Sequence, residues 1–172
     1  SNGKYAAVTS FPDKSLGNDE VIEIIALQEG YTFPVYRGSH PIEMAFDEEG
    51  YRLVFSTEPS EKYSGRSIYV YDFQKEKLAY ITNESKLGSI ISVGWMPVDS
   101  WIYYSQTVHN ESRLAFYNIE NDCVFISDIQ DVDYPSIDPS GKKIVFTSYG
   151  NLYIVDLEKL LGPDFELLQC SS

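Results

Sequence analysis

The sequence predicts an all-β fold, a β-propeller of about four blades with four antiparallel strands each and an incomplete first blade. Three observations carry this. A strand ending in small hydroxyl side chains recurs four times, as Ala6–Ser10, Leu53–Thr57, Ile102–Ser105 and Ile144–Ser148. Superposed, these strands place Val8, Phe55, Tyr104 and Phe146 at spacings of 47, 49 and 42 residues. The strand that follows recurs in the same register, as Val21–Leu27, Ser67–Phe73, Arg113–Ile119 and Asn151–Leu157. Its equivalent positions Ala26, Asp72, Asn118 and Asp156 lie 46, 46 and 38 residues apart. Finally, each unit holds about four short strands separated by turn residues, and a period in the forties suits a propeller blade. A β-sandwich also has short strands at regular intervals, but they would not recur in matched groups.

The remaining elements follow in chain order. A strand precedes the hydroxyl-ending strand in three units, as Ile42–Phe46, Ile91–Trp95 and Pro135–Ile137; none precedes Ala6, so the innermost strand of the first blade is missing. An outer strand closes each unit, as Phe33–Tyr36, Leu78–Thr82, Cys123–Ser127 and Phe165–Leu168. The turns Asp47-Glu-Glu-Gly50 and Asp138-Pro-Ser-Gly141 place Gly where a positive φ is tolerated and Pro where φ is already set. The blades then fall at approximately 1–40, 41–87, 88–131 and 132–172. Only Asp156–Leu161 can form a helical turn, ended by Gly162-Pro163. The recurring Asp72, Asn118 and Asp156 are expected to bond backbone N–H groups in the turns after their strands.

The pattern Pro-x-x-Asp-Pro-Ser-Gly-Lys-Lys-Ile-Val-Phe-Thr-Ser followed by Leu-Tyr-Ile-Val-Asp-Leu, over residues 134–157, resembles the WD40-like repeat of TolB-type β-propellers. Residues 41–82 are similar through Phe46-Asp-Glu-Glu-Gly50 and Ile68-Tyr-Val-Tyr-Asp72. Residues 91–127 depart from it, because Trp95-Met-Pro-Val-Asp-Ser100 has no turn Gly, and residues 3–36 keep only the later strands. The resemblance implies the blade fold and supplies no catalytic residue. Such blades occur in periplasmic partners of lipoproteins, in cell-envelope proteins and in the gating propellers of prolyl-oligopeptidase-like serine peptidases. It leaves three expectations for the ring: a segment of a larger propeller, a small ring, or two copies combining into one larger ring.

Composition narrows the function classes. A net charge of −13 opposes non-specific contact with nucleic acid or anionic membrane. No stretch approaches the roughly 20 apolar residues of a membrane span. Aromatic residues make up 15% of the chain, which half-buried strands explain without invoking a carbohydrate platform. Cys123 and Cys170 fall on or beside outer strands of neighbouring blades. Blades diverge toward the rim while a disulfide needs Cα atoms within about 7 Å, so two free thiols are expected.

The inventory for catalysis is thin. There is no G-x-S-x-G elbow, and the two histidines, His40 and His109, fall in loops where a surface role is expected. The acidic run Asp128, Asp131, Asp133 and Asp138 lacks the spacing and Gly of a calcium loop and reads as a solvated linker. No metal and no cofactor is expected.

Loops at the strand ends are where a scaffold of this kind binds. One end carries turns 47–50, 97–100 and 138–141 with hairpins 74–77 and 120–122. The other carries segments 37–40, 83–89 and 128–133 with the long loops 11–20, 58–66 and 106–112. Loops longer than a tight turn are disproportionately functional. The candidate binding residues are therefore Phe11, Pro12, Asp13, Lys14, Glu61, Lys62, Tyr63, His109 and Asn110. The expected role is a non-catalytic scaffold for protein–protein interaction, periplasmic or otherwise extracytoplasmic, with a cytoplasmic location as the alternative. The expected partner is a protein, and a homodimer completing a larger ring is a further expectation. The rival readings are a peptidase gating propeller lacking its catalytic domain, and a glycan-binding propeller.

Overall fold

The computed structural model describes residues 3–10, 19–59, 66–83, 89–97, 100–108 and 111–162. The chain divides into two compact units, 1–86 and 87–172. Each unit holds two antiparallel sheets.

In the first unit one sheet runs β1 (Tyr5–Ser10), β2 (Glu20–Ala26) and β3 (Tyr31–Gly38) in chain order. The other runs β4 (Pro41–Phe46), β5 (Arg52–Thr57), β6 (Ser67–Asp72) and β7 (Lys77–Asn83). In the second unit β8 (Ser89–Trp95), β9 (Trp101–Val108), β10 (Glu111–Asn118) and β11 (Cys123–Gln130) form a four-stranded sheet. The strands β12 (Asp133–Ile137), β13 (Lys143–Ser148) and β14 (Asn151–Asp156) form a three-stranded one. A five-residue helix α1 (Leu157–Leu161) follows β14, and Gly162 at φ 78° ends it, as expected from the sequence. The fourth outer strand expected at Phe165–Leu168 lies outside the described residues.

The pairing registers explain why two strands of each unit were so legible. The pairs β1–β2, β5–β6, β9–β10 and β13–β14 run without a register shift. Every other pair contains one, as between Pro41 and Glu43 in β4 or between Ile90 and Val93 in β8. A bulge inserts one residue and turns the following side chains to the opposite face, so only the unbulged hairpin keeps a strict alternation along its length.

Each unit has its own core. In the first, Ile22 and Ile24 of β2 and Tyr36 of β3 pack against Leu53 and Phe55 of β5. Aromatic rings extend this layer: Tyr5 stacks on Phe73 at 4.7 Å, and Phe55 stacks on Tyr69 at 5.3 Å. In the second, Leu114 and Phe116 of β10 pack against Ile144 and Phe146 of β13, joined by Met96, Val132 and Leu157. Burial of one such side chain is worth about 1.5–3 kcal/mol. The high aromatic content of the first unit is in good part core packing between its sheets.

The turns follow the predicted chemistry where their residues allow it. Asp47 accepts hydrogen bonds from the N–H groups of Tyr51 at 2.8 Å and Arg52 at 3.0 Å, and Gly50 sits at φ 71°. Asp138 does the same for Lys142 at 2.9 Å and Lys143 at 2.6 Å, with Gly141 at φ 69°. In the deviant third copy Met96 takes the place of the Asp and is buried in the core instead. That turn retains its closing bond, Met96 N–H to Trp101 O at 3.0 Å, and places Ser100 at φ 57°.

Candidate functional site

The strands end in two sets of loops, and the described residues build a cluster at each. At the first end, the β4–β5 turn meets the β6–β7 hairpin within the first unit. Asp47, Glu49, Tyr51, Arg52, Asp72, Gln74 and Lys75 line a cavity of about 180 Å³ there. Both of its cations are paired: Arg52 with Asp47 at 2.9 Å and Lys75 with Asp72 at 3.2 Å. Asp72 also accepts the N–H groups of Gln74 and Lys75. Burial pushes its carboxyl up, but the bonds and charge of Lys75 outweigh this and hold it below the usual carboxylate value. The equivalent end of the second unit repeats the arrangement. Asn118 accepts the N–H groups of Glu120 and Asn121, and Ser100 donates its hydroxyl to Glu120 at 2.6 Å. Tyr117 donates to Asp122 at 2.6 Å; burial and this carboxylate both push the phenol up. These bonds close turns, so this end is architecture.

The turn-capping role expected of the recurring Asp72, Asn118 and Asp156 holds for the first two. Asp156 is different. It precedes α1, makes no side-chain cap bond, and pairs with Lys159 at 3.0 Å. A helix in place of a hairpin leaves no turn N–H groups in the position the other two serve.

At the opposite end of the second unit lies a cluster of another kind. Asp131, Tyr134 and Tyr149 all adopt positive φ, at 55°, 50° and 47°. That region is disfavoured for a residue with a Cβ, most of all a bulky one. The two tyrosines are 69% and 74% exposed. Tyr149 hydrogen-bonds through its hydroxyl to Asp131, which pushes the phenol up, and the charge of Glu111 adds to this. Glu111 in turn accepts from Arg113 at 2.9 Å and from Gln130 Nε2 at 3.3 Å. The backbone beneath is held by Ser148, whose hydroxyl donates to Gln130 O at 3.2 Å, and by Asn151, which donates to Tyr149 O at 3.3 Å. Tyr149 thus stands in solvent with its hydroxyl on Asp131, and Tyr134, three residues along from that aspartate, is likewise exposed and at positive φ. Sequence reasoning missed them. The available signal was Tyr149-Gly150, a two-residue hairpin turn in which both residues need positive φ and only one is glycine.

None of the candidate residues from sequence falls among the described residues: Phe11, Pro12, Asp13 and Lys14 lie in 11–18, Glu61, Lys62 and Tyr63 in 60–65, and His109 and Asn110 in 109–110. The strands that bracket these loops are described. Ser10 pairs with Val21, Thr57 with Ser67, and Val108 with Glu111. The third bracket adjoins the tyrosine cluster directly, through Glu111.

His40 is exposed, as expected, and its Nδ1 lies 2.6 Å from buried Glu20. Among the described residues no group of His, Cys, Asp or Glu converges as metal ligands. The acidic run divides between β11, the turn residue Asp131 and the start of β12. Among the described residues no helix is long and apolar enough to cross a membrane.

The expectation of two free thiols is overturned. Cys123 is disulfide-bonded, and the sequence has one other cysteine, Cys170, which lies outside the described residues. The divergence argument placed both cysteines on the outer strands of regular four-stranded sheets. The second of those strands, expected at Phe165–Leu168, and Cys170 after it lie outside the described residues.

Comparison with known proteins rests on structure alone. No protein-family model and no curated protein sequence matches this chain. Among solved structures, TolB from Acinetobacter baumannii superposes with a TM-score of 0.70 at 17% identity, over 91% of this chain and 39% of that one. The β-propeller domain of the Trilobed protease from Pyrococcus furiosus superposes with a TM-score of 0.61 at 14% identity, over 89% and 54%. The fold is that of a β-propeller. A nidogen/laminin complex also matches, with a TM-score of 0.63 at 13% identity, over 89% of this chain and 56% of the matched one. The chain therefore spans between about two fifths and just over half of these structures, and its described residues form four sheets.

Proposed function

We propose that this chain is a non-catalytic propeller scaffold that binds a protein partner through the long-loop ends of its blades, outside the cytoplasm. The observation that carries this reading is the pair Tyr134 and Tyr149. Exposed aromatics on strained, enforced backbone are a recurrent mark of functional surfaces, and tyrosine is enriched at the anchoring positions of protein interfaces. The carboxylate of Asp131 beside Tyr149 favours a partner segment bearing Arg or Lys, whose cation can rest on a phenol face. The loops that hold Phe11–Lys14, Glu61–Tyr63, His109 and Asn110 stand at the equivalent ends of the other repeats and extend the same role. Support for an extracytoplasmic location comes from Cys123, since disulfides persist in oxidising compartments. The resemblance to TolB-type repeats agrees with it. The nidogen/laminin complex supports a protein partner in general terms.

The test is site-specific crosslinking in the native cell, with a photoreactive residue at position 149 and, as control, at position 75 in the turn cluster. Partner adducts at 149 that are absent at 75, and that Tyr134→Ala reduces about tenfold, support the reading. Adducts at 75 alone would move the site to the turn end.

A second reading has its own support. The Trilobed protease propeller favours a gating segment of a serine peptidase. Adducts at 149 to a hydrolase domain carrying a G-x-S-x-G sequence would decide for it.

A further inference from the structure

The long-loop end of the first unit carries a buried carboxylate that its neighbours only half satisfy. Glu20 opens β2 and is 5% exposed. Strand alternation puts it on the face of Ile22 and Ile24, where β2 and β3 meet β5. Its Oε1 lies 2.6 Å from Nδ1 of His40. Its Oε2 is buried and has no hydrogen-bond partner among the described residues. A buried polar atom left in this state costs the fold its desolvation, and in a native structure it calls for an explanation. An ionised carboxylate only accepts, so Nδ1 carries an imidazole proton, and in the neutral ring Nε2 is a second acceptor. The His40 side chain is half-exposed.

The surroundings supply no donor to compensate. Gly38 pairs with Glu20 and Tyr36 with Ile22, so Tyr36 shares the face of Glu20. The Tyr36 hydroxyl is engaged by Thr57 and Ser39. It lies over Gly38, where a Cβ would come 2.6 Å from it. The nearby charges are mostly acidic. Asp19, just before Glu20, is exposed, and so is Glu58, whose N–H donates to His40 O at 2.8 Å. The one cation in these segments, Arg37, pairs with Val21 and therefore belongs to the opposite face of β3 from Tyr36.

We propose that Glu20 and His40 form a seat for a guanidinium group, the side chain of an Arg in the partner segment. A guanidinium offers five N–H donors in a planar fork and no acceptor, so it suits a site whose open positions only accept. Its bonds to the carboxylate are charge-assisted, and it gives up its hydration more readily than an ammonium. A metal ion fits less well, because among the described residues no third His, Cys, Asp or Glu converges with this pair. The seat rests on the proposed binding of a basic partner segment at the long-loop ends, and adds an anchor in the first unit distinct from Tyr149.

The test titrates the isotope-labelled full chain with N-acetyl-arginine amide, and with N-acetyl-citrulline amide as the uncharged isostere, while amide resonances are followed by NMR. Saturable shifts at Glu20, Gly38 and His40 are expected with the arginine probe and not with the citrulline one. Glu20→Gln keeps the shape, removes the charge and should weaken binding about tenfold or more. His40→Leu, at a half-exposed position, should weaken it by a smaller factor and stands in if Glu20→Gln fails to fold. Tyr149→Ala should leave the titration unchanged. Failure of the crosslinks at position 149 beside an intact titration here would therefore overturn the tyrosine reading alone. The seat is overturned by the absence of saturable shifts, by equal shifts from both probes, or by binding that survives Glu20→Gln and His40→Leu unchanged. Glu20 and His40 are then a structural joint between β2 and the start of β4.

Discussion

Ile24 and Ile154 occupy the same position in the first and fourth repeats, with the same strand, the same hairpin and the same residue type. Ile24 lies in the core against β5, and Ile154 stands in solvent on β14. The difference teaches that burial in a repeat fold is a property of the neighbour as much as of the residue. Each sheet has two faces to cover and can cover neither by itself. The same holds for the turns. Asp47 and Asp138 make the same backbone bonds, but Asp47 is buried beside Arg52 and Asp138 is only half-buried.

The sharpest way to break the comparison is by truncation. Phe116→Ala opens a cavity between β10 and β13 and should cost about 3–5 kcal/mol in urea unfolding of the monomer. Ile154→Ala at the same position of the last repeat should stay within about 0.5 kcal/mol. Equal losses would mean that Ile154 is covered. A smaller effect separates the two aspartates. Asp47→Ala removes three hydrogen bonds and leaves Arg52 without its buried partner, for a loss of about 1–3 kcal/mol. Asp138→Ala should cost less in the same assay.

The smallest effects appear on the pH axis. The Ser140 hydroxyl, then the Lys143 and Lys142 N–H groups, hold Asp138 below the usual carboxylate value, and Asp72 is held low as well. A depressed carboxyl stabilises the fold above its ordinary value near ~3.9 and loses that contribution as pH falls through the lower folded value. Asp138→Asn should lower stability slightly at neutrality and flatten the profile below about pH 4, where the unmodified chain loses that same contribution. At the alkaline side, burial pushes the Tyr104 phenol up, so its contribution is complete below about pH 10 and declines as pH rises beyond it. Its hydroxyl is buried and has no hydrogen-bond partner among the described residues, so Tyr104→Phe should be neutral or slightly stabilising at pH 7 and should blunt the alkaline decline. A loss at pH 7 would show that the hydroxyl has a partner.

The fold was legible to the degree that its strands alternate without interruption. The anchor strands Leu53–Thr57 and Ser67–Phe73 correspond to β5 and β6, which pair without a shift. The outer strands were placed by position in the repeat, because bulges such as that between Ile68 and Tyr69 in the β6–β7 pairing disturb their alternation. The turn roles of Asp72 and Asn118 were legible for the same local reason, since each bonds N–H groups two and three residues on. Asp156 was misread because its successor segment is a helix. Of the tyrosine cluster only the Tyr149-Gly150 turn left a signal in the sequence: Asp131 and Tyr149 are neighbours only because β11 and β13 end at the same place.

What the sequence determined by itself is whatever depends on contacts a few residues apart. This covers the alternating strands, the Asp-to-Gly turns, the Gly162 stop and the repeat of all of these through the chain. Tertiary structure alone decided which of four equivalent apolar pairs are covered, that Cys123 is oxidised, and that the Tyr149 hydroxyl meets Asp131. Those outcomes turn on which strand end or sheet face lies against which, and that depends on packing between elements far apart in the chain, where local propensity carries no information.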